Sequence, residues 1–79
     1  MAAVVWNTEA EAALLLLPND EAETIYVAVE RMAASGRGFV RDMLDESHTL
    51  GLYVARHVVL FERDPDGTIR ILKLRSRVS

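Results

Sequence analysis

The residues best equipped for chemistry gather near the end of the chain. Lys73, Arg75 and Arg77 alternate along Ile69 to Arg77, a run that also carries Arg70 and no acid, and Tyr53, Arg56 and His57 stand a short way upstream. Arginine stays protonated at any biological pH, and its planar guanidinium can hold two oxygens of one phosphate. Arg75 and Arg77, helped by Lys73 and Arg56, are therefore candidates for gripping a phosphate that gains negative charge during a reaction. His57 is the nearest candidate proton shuttle, because imidazole titrates near neutral pH without tuning by its surroundings; Tyr53 is a second. Plainer roles are open to the same residues. His57 could pack beside a sheet with its ring nitrogens hydrogen-bonded, and basic side chains on an edge strand oppose unwanted strand pairing. His48 stands apart, and two histidines without a clustered carboxylate or thiol do not make a metal site, so neither a metal nor a cofactor is expected.

Such side chains need a sheet to hold them. His57–Arg63 and Thr68–Leu74 are strand-like runs joined by Asp64, Pro65, Asp66 and Gly67. Pro65 pre-sets φ for a turn, Asp64 can bond the backbone two residues on, and Gly67 tolerates positive φ, so the two runs are predicted to pair as an antiparallel hairpin. A further strand is predicted over Thr49–Val54, with Ala55 and Arg56 as a tight turn, although alanine is a poor residue for positive φ. Ala2–Trp6 is short, β-branched and aromatic, which predicts a first strand.

Between the first strand and the later ones lies a helical hairpin. Thr8 and Glu11 have the spacing of a capping box, and Pro18 stops the helix they open. The apolar run Ala12–Leu17 falls far short of the roughly 20 residues of a membrane span, so it is predicted to be a buried helix. Asn19 or Asp20 can cap a second helix whose stripe is Ala22, Ile25, Tyr26, Val29, Met32 and Ala33, with Gly36 as its terminator. Residues 37–48 show no sustained period and are predicted to cross the surface. Trp6 and Phe61 are expected as core anchors. The result is an α+β domain of order β-α-α-β-β-β, its helical hairpin on one face of a mainly antiparallel four-stranded sheet.

The 79 residues allow one domain, 1–79, and at this size only about 60% of the unfolded surface can be buried, so a partner could add stability. The net charge of −3 hides a split: residues 1–35 carry six acids and one base, residues 36–79 eight bases and six acids. Overall acidity argues against avid, nonspecific nucleic-acid binding, but not against a local basic pocket. There is no cysteine, which removes disulfides and thiolate metal sites and suits a reducing compartment. No basic stretch precedes an apolar one at the start, so no signal peptide and no membrane partner are expected, and the location expected is cytoplasmic.

The order of strand, helical hairpin and three antiparallel strands, with Leu17-Pro18 closing the first helix, resembles the RelE/ParE superfamily of toxins from type II toxin-antitoxin systems. Val54–Glu62, VARHVVLFE, is similar to the family's V-G-D-Y-R-V-I-Y-E, and Ile71–Arg77, ILKLRSR, to its strand ending in V-G-H-R. The resemblance implies a growth inhibitor silenced by a cognate antitoxin protein. RelE-like members cut messenger RNA on the ribosome, whereas ParE-like members poison DNA gyrase; a non-catalytic remnant that only binds its antitoxin is a third reading. The family's strand arginine falls here on Val58, the aromatic before it on His57, and the turn's glycine and aspartate on Ala55 and Arg56; of the terminal pair only Arg77 is kept. Cleavage by the RNA's own 2′-hydroxyl would need a base for that hydroxyl, charge on the phosphate and a proton for the leaving oxygen. On the RelE-like reading, Arg75, Arg77 and His57 would be catalytic, with Lys73, Arg56 and Tyr53 on the RNA.

Overall fold

The computed structural model describes residues 3–43 and 48–76. Strand β1 (Val4–Trp6) leads into helices α1 (Thr8–Leu15) and α2 (Asn19–Ser35), followed by β2 (Phe39–Asp42), β3 (Leu50–Val54), β4 (His57–Arg63) and β5 (Ile69–Ser76). The strands form one sheet in the order β1-β5-β4-β3-β2. β2 to β5 are an antiparallel meander, and β1 lies parallel to β5.

The α+β architecture matches the expectation from sequence, but the sheet has five strands rather than four. The additional one is β2, inside the segment read as a surface crossing. It is four residues long, sits at the sheet edge and is mostly exposed, so it carries too little apolar alternation to show in the sequence. Gly38 delivers the chain into it at φ 144°, where a Cβ would come within 2.7 Å of Leu52 Cδ1. Only glycine satisfies both demands.

The helix caps also shift. Asn7, not Thr8, caps α1: its Oδ1 accepts the Ala10 N–H at 2.8 Å, which makes Thr8 the first helical residue. Pro18 takes the cap position of α2 in extended geometry, without a side-chain bond, and Asp20 and Glu21 fall in the first turn where carboxylates meet the positive end of the helix dipole. Gly36 closes α2 in the left-handed conformation at φ 74°.

Ile25, Val29 and Met32 of α2, with Ala10 of α1, cover Leu52, Val54, Val59, Phe61, Ile69 and Ile71 of the sheet. Two expectations about this layer need correction. Tyr26 is 49% exposed; it stands at the rim of the stripe and stacks on Trp6, which is itself only partly buried (centroids 6.5 Å apart). Within the leucine run, Leu14 and Leu17 pack against the core while Leu15 and Leu16 are 76% and 86% exposed. A helix with one covered side cannot bury residues a third of a turn apart on both.

The β4–β5 turn forms as the sequence predicts, with a different division of labour. Asp64 N–H donates to Thr68 O, Gly67 N–H to Asp64 O, and Gly67 takes φ 93°. It is Asp66 whose carboxylate accepts the backbone N–H two residues on, at Thr68, and those bonds hold its carboxyl below its usual value. The Asp64 carboxylate instead accepts from Arg70 Nη2 at 2.8 Å. The β3–β4 turn is strained, because Ala55 sits at φ 50°. Ala55→Gly should therefore stabilise the domain by about 0.5–1 kcal/mol, read as a higher urea midpoint at unchanged m-value. A lower midpoint would show that the turn carries no such strain.

Candidate functional site

Residues opposite one another across neighbouring strands point to the same side of a sheet, so the register assigns each strand residue a face. Opposite pairs Phe61–Ile71, Val59–Leu74 and His57–Ser76 lie on the helix-covered face. Glu62–Arg70, Leu60–Lys73 and Val58–Arg75 lie on the far face. A β-bulge opposite Leu60/Phe61 makes this division: Leu72 is the extra residue, and beyond it the alternation of β5 changes phase. Without that insertion the rhythm of Ile69 and Ile71 would carry Lys73 and Arg75 into the core. With it, Leu74 turns inward and the two cations turn out.

Two rows of side chains cross the far face. One runs Phe39–Tyr53–Val58–Arg75, the other Arg41–Gly51–Leu60–Lys73. The two rows hold three cations and no acid. Phe39 and Tyr53 meet edge to face at 5.8 Å, and the Arg41 guanidinium lies 5.0 Å from the Phe39 centroid. Met43 follows on the same face: a Cβ on Gly51 would come within 2.6 Å of its Cε and 3.0 Å of Val58 Cγ1. Its side chain therefore lies across the middle of the face, and Val58 and Leu60 are buried although no helix covers them. This second cover is why β4 reads as an unbroken apolar run, Val58 to Phe61, rather than an alternating one.

The candidate residues are thus split between the faces. Tyr53, Lys73 and Arg75 share the far face, where Lys73 and Arg75 are exposed. β5 is an inner strand, but β1 pairs only with Ile69–Ile71, so the basic half of β5 runs on past the end of β1. His57 belongs to the helix face, where its Nε2 lies 3.0 Å from Glu21 Oε1 of α2 and its side chain is only 12% exposed. An ionised carboxylate only accepts, so Nε2 carries the hydrogen. This is the hydrogen-bonded packing role that the sequence left open for His57. Arg56 is exposed in the β3–β4 turn and borders, with Glu21, Thr24, Ile25, Val54 and His57, a cleft of about 370 Å³. His57 and Arg75 both line a smaller cavity of about 150 Å³ at the strand ends, with Leu17 and Ser76. Arg77 lies outside the described residues.

Phe39, Arg41, Met43 and Glu21 were not singled out by sequence reasoning. Phe39 and Arg41 offered one signal, an aromatic and a cation two apart after Gly38, too brief to set a period. Among the described residues no three His, Asp or Glu side chains come together to hold a metal ion, and no helix is long and apolar enough to cross a membrane.

No protein-family model matches the chain, and no curated protein matches its sequence. Solved structures do match. A chain of the RelB–RelE antitoxin–toxin complex from Methanococcus jannaschii superposes with a TM-score of 0.75 at 14% identity, over 92% of this chain and 89% of that one. A chain of the toxin–antitoxin complex RelBE2 from Mycobacterium tuberculosis superposes with a TM-score of 0.65 at 21% identity, over 96% and 98%. The chain has a RelE-like fold. The match spans nearly the whole of both chains in each comparison. At these identities the likeness concerns the path of the backbone, and the side chains described above must carry any functional argument themselves.

Proposed function

We infer that the chain is the toxin of a type II toxin-antitoxin pair, held silent by a cognate antitoxin protein, and that it acts by ribosome-dependent cleavage of messenger RNA. The observation that carries the mechanism is the far face of the sheet, where a bulge turns Lys73 and Arg75 to the same side as Tyr53. In this reading Arg75 and Arg77 hold the scissile phosphate and stabilise the charge it gains, Lys73 adds long-range attraction, and Tyr53 is the hydroxyl on that face able to relay a proton. His57, tied to Glu21 on the other face, would keep a catalytic role only at the strand ends, where it and Arg75 line the same small cavity. Arg56, at the neighbouring turn, would meet RNA leaving the site. A message already positioned by the ribosome needs fewer cations than one captured from solution, which reconciles this face with a net charge of −3.

The same net charge, together with the separation of His57 from Tyr53 and Lys73, favours one competing reading, a ParE-like inhibitor of DNA gyrase that cuts no RNA. Two purified assays decide between them. Translation of a reporter with the toxin present, followed by mapping of RNA ends, should show new ends within ribosome-bound codons, while gyrase supercoiling proceeds normally. Intact messages with blocked supercoiling would replace the first reading by the second.

A further inference from the structure

We propose that Phe39 and Tyr53, flanked by Arg41, form a base-stacking platform for single-stranded RNA on the far face of the sheet, next to the phosphate-binding cations. The choice of ligand rests on the RNA reading above; the platform itself rests on three features of β2 and β3. Phe39 is 58% exposed on an ordered strand, where a residue serving only as sheet filler would be covered. Its ring is not loose: it meets the Tyr53 ring edge to face at 5.8 Å and Arg41 stands 5.0 Å from its centroid, so its position is fixed before any ligand arrives. The third feature is direction. The row Phe39–Tyr53–Val58–Arg75 spans three strand intervals, about 14 Å at roughly 4.8 Å each, and leads from the aromatic pair to Arg75.

Aromatic faces beside a track of cations suit single-stranded nucleic acid, because every base has a π-face to stack and every linkage a phosphate to neutralise. A protein partner could also use an exposed aromatic as an anchor. The composition of the two rows favours RNA: Arg41, Lys73 and Arg75 accompany the aromatics with no acid among them. A base stacked on Phe39, the far end of the row, would sit apart from the scissile phosphate, so Phe39 would set which nucleotide is favoured beside the site.

The test is equilibrium binding of the full chain, at low salt, to short labelled single-stranded RNA and to the same backbone lacking bases. Phe39→Leu keeps an apolar side chain but removes the ring, and should weaken binding to the base-bearing RNA about tenfold while leaving the abasic RNA nearly unaffected. Tyr53→Leu, which removes the second ring, should fall with Phe39→Leu. The proposal is overturned if Phe39→Leu binds like wild type, if it loses equally on both RNAs, or if the wild-type chain binds neither. Cleavage on the ribosome is scored separately. Base-dependent binding without cleavage would sink the proposed reaction and keep the platform, whereas cleavage with an unaltered Phe39→Leu would do the reverse.

Discussion

Replacing Arg75 and Arg77 together by alanine should lower ribosome-dependent cleavage by about two to three orders of magnitude without unfolding the protein. The size follows from what the two guanidinium groups are asked to do. A donor aimed at developing charge is typically worth about 100- to 1,000-fold in rate, because it is already oriented when the charge appears. The fold should survive because Arg75 is an exposed residue whose strand is held from beneath by Leu74 and Val59. Exposed substitutions of this kind usually move stability by about 0.5 kcal/mol. Lysine at both positions should restore only part of the rate, since it returns the charge but not the planar two-point grip. The measurement is single-turnover cleavage of ribosome-bound message, paired with urea unfolding of each variant. Wild-type cleavage by the double alanine variant would remove these arginines from the site.

Phe61→Ala should cost about 3–5 kcal/mol of stability, whereas Phe39→Ala, the same exchange elsewhere in the sheet, should cost about 1 kcal/mol. Phe61 is fully buried at the centre of the helix-covered face. Truncating such a ring removes its burial and leaves a cavity that the neighbours fill only in part, a loss of about 3–5 kcal/mol. A domain of this size has only about 4–12 kcal/mol to lose, at roughly 0.05–0.15 kcal/mol per residue. Phe39 loses only an edge-to-face contact with Tyr53 and a cation contact with Arg41. Urea titrations followed by circular dichroism would rank the two. Similar midpoints for both variants would contradict the burial that separates them.

Much of this architecture is written into short-range patterns of the chain. The Asp64–Gly67 turn, the Gly36 terminator and the Ile25–Val29–Met32 stripe each follow from φ preferences or from a periodicity of 3.6, which need no knowledge of distant residues. The charge split and the basic end are likewise plain in the sequence, and together these features point to an α+β domain with a cationic surface. The tertiary structure decided which side of the sheet that charge occupies. Alternation alone would have run Lys73 and Arg75 in phase with Ile69 and Ile71; pairing with β4 forced one extra residue at Leu72 and turned the cations to the far face. It also placed Phe39 and Arg41 beside Tyr53, through an edge strand whose four residues have no period of their own. And it drew His57 to Glu21, a partner 36 residues away, on the face opposite Tyr53 and Lys73. Register, bulge and edge pairing are set by the packing of whole strands against one another, so no local window of sequence contains them.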